Sequence, residues 1–591
     1  MRKLGLTSGG RLRRQAPALI LLAIVALGAA LRFTGLGRHF FWFDEGLLLD
    51  IDSIRHGLVR YVVRIWGQTT YNPGWAVLLW FVQRAGGDSI WIARLPSCIA
   101  GIMAIAMTYA ASRGLRLDRP TALAAALLTA LAWPQIEYSQ QILPYAAIPL
   151  MTSVVVWALA WLARTDPRQA PYRFVSFHYV LATASIVDIV NHNSFIMLIP
   201  FLGFCLFWIW LRRRAQGQDA AAPGVVSRLR ARLASPEAVA AGVTVLSIAM
   251  VALVFFMPKR GEGYRTYLDP YYLPTFRGHT MGYGPFTDTA YIRAVPQASA
   301  ALDLVYFGAS RAYDTYLYSV NLFSPIYVET LWGLLATAPV LMGLAGTLLA
   351  IRGRKGPAVQ ALGVGLILTM AGLFVLSLKK QFPFGGIRQL LFLAPLVIIL
   401  AAIGWRASLR RWPLATRVLS LGCLLLYAAR APLYYQETAA RMGEQQIVKA
   451  MRETGTQTVV APEFGEHYFM LNHALRNVPK HELIDVTWPQ FAALAAERKP
   501  FLLFARYAIA PGDLVGEGPG RHELAQKLKS KNLKLVDYEL VPRIARVGGP
   551  FRGGQPNQGV YLYLVQPRPG VPAVASGRAS TGHEREAQVA R

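Results

Sequence analysis

Apolar residues gather in long runs along this chain and do not alternate with polar ones. Eleven runs approach the roughly 20 residues a helix needs to cross a bilayer. They lie near 17–31, 95–112, 120–135, 146–163, 174–190, 194–211, 237–257, 326–350, 358–378, 389–405 and 413–430. The run Pro73–Val82 is too short and reads, with Leu47–Tyr61, as a helix lying on the membrane surface. Every second connection is basic: 113–119, 164–173, 212–235, 351–357 and 406–412 each carry several arginines. Cationic loops stay on the cytoplasmic side. Counting 73–82 as a span would move every one of these loops to the outer face, so the pattern predicts eleven spans with a cytoplasmic N-terminus. The opposite face then holds the first loop 32–94, the Pro134–Tyr145 connection, the Asn191-His192-Asn193 turn, the Tyr-, Gly- and Pro-rich loop Pro258–Pro325, the Lys379–Gln389 turn and everything beyond Ala431.

From about Gln445 the pattern changes to that of a small α/β domain. GEQQIVKAMRETG and GRHELAQKLKSKN predict helices; TVVAP, PFLLFARYA, LKLVDYELV and GVYLYLVQP predict strands. GGPFRGGQPNQG joins the last two strands as a hairpin loop and has no helix behind it to cradle phosphate. The expected organisation is a basic N-terminus (1–16), a membrane domain (17–430), an extracytoplasmic α/β domain (431–566) and an unstructured tail (567–591).

Composition agrees with a mostly α membrane protein. The 591 residues are 54% hydrophobic and 16% charged, with a mean hydropathy of +0.34. Lys and Arg number 61 against 32 acidic residues. That excess falls in the short connections, so it belongs to membrane topology and no nucleic-acid partner is expected. Cys98, Cys205 and Cys423 all lie inside apolar runs and read as small core residues, not as a disulfide framework. Ala26–Ala30 has the small residues of a cleavage site, but the spans that follow favour a retained first helix.

The candidate chemistry collects on the face away from the basic loops. Phe41-Trp42-Phe43-Asp44-Glu45 sets two carboxylates beside three aromatics just past the first span. Consecutive helical residues point about 100° apart, so one carboxylate can face a cavity while the other faces solvent. Asp44 either caps the following helix or does chemistry. Arg94 opens a span at the water boundary, where its charge can snorkel. Glu137 and Tyr145 flank the turn in EYSQQILPYA. Lys379, Lys380 and Arg388 bracket QFPFGG on the outer face, against the inside bias of basic residues; either they snorkel among headgroups or they grip an anion. His192, between two asparagines, is a metal-ligand candidate without a second ligand at metal spacing. The tyrosines of 264–291 suit sugar stacking or the interface belt.

Taken in order, these stretches resemble the GT-C glycosyltransferases, in particular the bacterial members similar to protein mannosyltransferases and aminoarabinose transferases. The resemblance is carried by the Asp44-Glu45 pair after the first helix, Tyr71-Asn72-Pro73 opening a short helix, Arg94-Leu95-Pro96-Ser97 opening a span, EYSQQILPY, and FPFGGIRQLLFLAP. It implies a GT-C membrane domain moving a sugar from a polyprenyl-phosphate carrier to the hydroxyl of a glycan, lipid or protein at the outer face of a bacterial inner membrane, with inversion. It assigns Asp44 as the base, with Glu45 beside it. Arg388, Arg94, Lys379 and Lys380 become candidate donor-phosphate ligands, and Asn72, Glu137, Tyr145 and His192 candidate pocket residues. Where some relatives carry His-Pro or Glu-Lys-Pro before the short helix, this chain has Tyr71-Asn72-Pro73. That removes a cation or a ligand and leaves a divalent metal as an open cofactor. The rival readings are a secondary transporter or lipid flippase, disfavoured by spans nearly free of charge at mid-depth, and a non-catalytic envelope assembly protein.

Overall fold

A computed structural model describes residues 8–37, 45, 48, 57–68, 73–87, 89–166, 169–191, 198–216, 236–256, 274, 291–292, 294–322, 331–353, 355–385, 388–439, 444–461, 475, 478, 481–485, 488–507, 528, 535, 538–548 and 558–568. The chain divides into two compact units, 1–38 with 50–439, and 39–49 with 440–591.

The first unit is helical. Its described helices are α1 (Ser8–Phe33), α2 (Leu58–Gln68), α3 (Pro73–Gly86), α4 (Ile90–Gly114), α5 (Arg119–Leu131), α6 (Trp133–Ser139), α7 (Ala147–Leu162), α8 (Pro171–Asn191), α9 (Leu198–Gln216), α10 (Pro236–Phe256), α11 (Ala300–Val320), α12 (Leu331–Ile351), α13 (Pro357–Leu378), α14 (Ala394–Arg411) and α15 (Pro413–Ala439). Six helical stretches are long and apolar enough to cross a membrane, and five shorter apolar ones accompany them. Together they fall one for one on the eleven runs read from the sequence. The short helix expected at 73–82 is α3.

Three expectations need correction. The run 120–135 is not one helix: Ala132 leaves helical geometry (φ −58°, ψ 120°) ahead of Trp133-Pro134, and α6 starts anew there. The cause is Pro134, which disfavours helical backbone in the residue before it and lacks an N–H. The surface helix expected over 47–61 is described only at Leu48 and from Gly57 onward, where it runs past Tyr61 to Gln68. Gly57 at φ +111° sets its start, and the Tyr61 N–H closes the first turn onto the Gly57 carbonyl. Within the expected loop 258–325 lies α11, capped by Ser299, whose side chain accepts from the Leu302 N–H. Its interspersed Arg311, Asp314 and tyrosines hid it from a search for apolar runs.

Packing is close where glycines permit it. A Cβ on Gly346 would stand 1.7 Å from the Leu400 carbonyl oxygen, and one on Gly404 would stand 1.9 Å from that of Met342. Backbone therefore meets backbone where α12 crosses α14, the usual role of small residues between membrane helices. At one end of the bundle Asp118 caps α5 by accepting from the Thr121 N–H, and it also takes Arg406 Nε at 2.9 Å and Arg410 Nη2 at 3.6 Å. The connections 113–119 and 406–412, both basic in sequence, thus meet at one end of the bundle. Burial pushes the Asp118 carboxyl up, but the bonds from Thr121 and Arg406 outweigh it and hold it below the ordinary carboxylate value.

The second unit is an α/β fold. Its sheet contains β1 (Thr458–Ala461), β2 (Glu482–Asp485), β3 (Phe501–Tyr507), β4 (Tyr538–Gly548) and β5 (Gln558–Pro567) in the order β2-β1-β3-β5-β4. β1 runs parallel to β2 and β3; β5 is antiparallel to β3 and β4. The helices α16 (Glu444–Thr454) and α17 (Pro489–Ala496) contribute to two clusters, Ile447, Ala450 and Met451 in one and Phe491 and Leu494 in the other. β2 and α17 were not anticipated, since each offers fewer than nine residues. β4, in the expected strand LKLVDYELV, is described from Tyr538. The helix expected over 520–532 lies outside the described residues except Leu528.

Candidate active site

At the bundle end away from Asp118, the residues from Thr129 to Leu150 are buried without exception. The sequence placed most of this stretch in an exposed connection. In fact α6 and the 3-10 turn Pro144–Ala146 fold back into the bundle, and the cost of burying polar backbone is met by side chains from other helices. Trp75 Nε1 of α3 donates to the Ile142 carbonyl at 2.6 Å, and Ser97 Oγ of α4 to the Leu143 carbonyl at 2.7 Å. Gln140 Nε2 donates to the Leu31, Arg32 and Thr34 carbonyls at 3.2, 3.2 and 2.7 Å, satisfying the C-terminal end of α1.

Arg32 is the centre of this arrangement and is fully buried. Its Nε donates to Ser139 Oγ at 3.1 Å, Nη1 to the Gly28 and Ala130 carbonyls at 3.1 Å each, and Nη2 to the Thr129 carbonyl at 3.0 Å. Gly101 of α4 makes room, since a Cβ there would lie 1.9 Å from Ser139 Oγ. The sequence reading passed over Arg32, Ser139 and Gln140. A lone arginine at the end of a first span looks like a topology signal, although Ser139 and Gln140 lie in the EYSQQ stretch it quoted.

Glu137 and Tyr145 are both buried here. Tyr145 packs edge-on against Tyr138 (centroids 5.2 Å), and the Tyr138 hydroxyl pairs with that of Tyr318 on α11. The Trp133 N–H donates to the Asn321 carbonyl at 2.7 Å, so the C-terminal end of α11 braces both ends of α6. Arg94 is a correction: it is 1% exposed and does not snorkel, and its Nη1 donates to the Leu36 carbonyl at 3.0 Å. Lys379 and Lys380 are exposed at the end of α13, Lys380 with a left-handed φ of +53°. The backbone of Arg388 opens a 3-10 turn that runs to Leu393 and leads into α14. Glu45 is fully buried and falls in the second unit. Asp44, Asn72 and His192 lie outside the described residues.

Two buried acids stand apart. Asp188 of α8 is fully buried, and among the described residues neither carboxylate oxygen has a hydrogen-bond partner. Asp314 pairs with Arg311 at 3.2 Å inside α11, both side chains nearly inaccessible. Ionisable side chains therefore occur within the bundle, Asp188 near the C-terminal end of a span and the Arg311–Asp314 pair in α11, which the apolar runs did not include. Among the described residues no group of three or more His, Cys, Asp or Glu side chains could hold a metal ion.

No family model and no curated protein matches the chain. Similar solved structures exist. The archaeal oligosaccharyltransferase AglB of Archaeoglobus fulgidus, in complex with an inhibitory peptide and a dolichol-phosphate, gives a TM-score of 0.46 at 12% identity over 90% of this chain and 69% of its own. ArnT from Cupriavidus metallidurans, bound to undecaprenyl phosphate, gives 0.34 at 14% over 94% and 98%. The Saccharomyces cerevisiae protein O-mannosyltransferase Pmt1-Pmt2 complex, bound to the sugar donor, gives 0.33 at 16% over 43% and 36%. All three are GT-C glycosyltransferases, the group the sequence motifs resemble. Scores and identities this low assign the chain neither activity nor substrate.

Proposed function

We propose that the chain is an integral membrane glycosyltransferase that moves a sugar from a polyprenyl-phosphate carrier to an acceptor hydroxyl at the face opposite its basic loops. The observation that carries this reading is the buried polar segment 129–150. Burying Gln135, Glu137, Ser139 and Gln140 beside Arg32 at the end of an apolar bundle is costly, and ionisable groups at such depth mark function.

In the proposed reaction the acceptor oxygen attacks the anomeric carbon, the bond from that carbon to the carrier phosphate breaks, and the hydroxyl proton passes to a carboxylate. We assign that base to Asp44, because it directly precedes buried Glu45 in the aromatic stretch that resembles the glycosyltransferase motif. The departing phosphate needs fixed positive charge. Arg388 is the assigned ligand, with Lys379 and Lys380 drawing the anionic carrier to the surface. Arg94 is reassigned from ligand to positioning residue, since it holds the Leu36 carbonyl in the segment that leads to Asp44. Glu137 and Tyr145 shape the pocket, and Asn72 and His192 complete the candidate set. The sugar, the acceptor and any metal requirement are matters for assay. The test incubates the purified full chain in nanodiscs with polyprenyl-phosphate sugars and candidate acceptors. Acceptor-dependent release of polyprenyl phosphate is expected.

One observation favours a second reading. Asp188, buried inside a candidate span and without a hydrogen-bond partner among the described residues, is what a proton-coupled transporter would show. Proton-coupled uptake of a polar or lipid-linked solute into proteoliposomes, abolished by Asp188→Asn, would support it.

A further inference from the structure

At the opposite end of the bundle three guanidinium groups converge, with Asp166 the nearest acid in sequence to Arg164. Arg113 lies in the last turn of α4 and folds back so that Nη1 donates to the Leu117 carbonyl. Arg116 follows with a left-handed φ of +59°. Arg164, just past α7, reaches over α4, its Nη2 standing 3.4 Å from the Arg113 carbonyl. Among the described residues none of the three forms an ion pair. Asp118, the acid of the same connection, is already engaged by Arg406 and Arg410. The mutual repulsion is felt at Arg164: burial, then the charges of Arg116 and Arg113, lower its pKa.

Capping of the α4 C-terminus accounts for part of this, since arginines near a helix end bond its last carbonyls. It uses one donor of Arg164, and the Leu117 carbonyl just beyond the helix takes one of Arg113, of five on each guanidinium. It gives Arg116 nothing. The surroundings indicate what takes up the rest. Arg164 stacks on Trp161 with its Cζ 5.4 Å from the ring centre. Trp161 is 37% exposed and stacks on Phe177 at 5.7 Å, and Tyr172 at the start of α8 is 88% exposed. Exposed tryptophan and tyrosine at the end of membrane helices mark headgroup depth. Basic pockets between helices on the cytoplasmic side hold anionic headgroups, and arginine grips phosphate with two donors at once.

We infer that Arg113, Arg116 and Arg164 form a binding site for the phosphate headgroup of an anionic phospholipid, with Trp161 against its glycerol and acyl region. A bound phosphate removes the repulsion among three like charges and fills the donors the helix end leaves over. The site is independent of the proposed transfer reaction and would hold in a transporter equally.

The test is native mass spectrometry of the full chain, exchanged in detergent micelles against phosphatidylglycerol or phosphatidylcholine. The wild type should retain phosphatidylglycerol as a resolved adduct at least tenfold over phosphatidylcholine, and 10 mM inorganic phosphate should not displace it. The triple variant R113Q/R116Q/R164Q should lose the adduct at least tenfold. The variant R352Q/K355Q/R417Q, which removes the same charge from exposed residues of the 351–357 connection and of α15, should keep it. Arg116→Asn, a change suited to left-handed backbone that leaves the helix-capping bonds intact, should weaken the adduct several-fold with an unshifted melting temperature. It therefore reads out binding even if the triple variant misfolds. Equal loss in the control variant, equal retention of phosphatidylcholine, displacement by inorganic phosphate, or an unaltered adduct in Arg116→Asn would overturn the inference.

Discussion

Arg32 Nε donates to Ser139 Oγ at 3.1 Å, joining the end of the first membrane helix to a short helix 107 residues further along the chain. The same guanidinium holds the carbonyls of Thr129 and Ala130. One planar fork thus fixes α1, α5 and α6 together. Arg32→Lys keeps the charge but cannot span these acceptors. A loss of about 2–4 kcal/mol is expected, from hydrogen bonds to a charged donor at roughly 1.5–3 kcal/mol each that do not add fully. Gly101→Ala should lower stability as well, because its Cβ would displace Ser139 Oγ. Heating followed by fluorescence-detected size exclusion in one detergent measures both.

The crossing of α12 and α14 gives a second expectation. A methyl group at Gly404 meets the Met342 carbonyl oxygen at 1.9 Å, and a backbone atom cannot swing aside as a side chain would. Gly404→Ala should destabilise by about 1–3 kcal/mol or more, the range for overpacking. Gly422 has nothing within 4 Å of its Cβ position, so Gly422→Ala in the same assay should be neutral or slightly stabilising.

Asp118 predicts a pH dependence. Its folded pKa lies below the ordinary 3.8. The fold therefore favours the carboxylate, and this stabilisation is present above the unfolded value and lost as pH falls through the folded one. Asp118→Asn should melt below wild type at pH 7, and the gap should close as pH falls below about 3.8. The side chain is 36% exposed, which keeps the effect modest.

Much of the membrane architecture is legible because crossing a bilayer constrains composition strongly. Each of the eleven apolar runs falls on a helix, and the arginines of 113–119 and 406–412 meet at one end of the bundle. What was hidden is what tertiary context decides. Pro134 breaks a run whose hydropathy continues across it, and α11 carries an ion pair that solvates itself within the bundle. The EYSQQILPYA stretch reads as an exposed turn because its residues are polar, yet it is buried: Trp75 and Ser97 supply bonds to it from distant positions, and its own Gln140 bonds the end of α1. Arg94 could be noticed from sequence, but its bond to Leu36 depends on a fold that spacing does not encode. In the second unit β2 escaped because four residues carry no measurable alternation.

Arg388 tests the donor side of the proposal. If it grips the carrier phosphate, Arg388→Lys should already raise KM for the lipid donor, because an ammonium cannot hold two oxygens at once. Arg388→Ala should cost about 2–5 kcal/mol of binding. Kinetics with a fixed acceptor and varied lipid donor separate the outcomes: unchanged KM and kcat in both variants would remove Arg388 from the site.

The central claim rests on Asp44. A positioned base contributes roughly 10²–10⁴-fold, whereas Asn can replace Asp as a helix cap at little cost. The decisive measurement is single-turnover transfer from a polyprenyl-phosphate sugar in nanodiscs, comparing wild type, Asp44→Asn and Glu45→Gln at equal folded concentration. The account predicts normal carrier-lipid binding for Asp44→Asn with transfer slowed at least a hundredfold, and a smaller loss for Glu45→Gln. Full transfer by Asp44→Asn, with Glu45→Gln equally active, would contradict it.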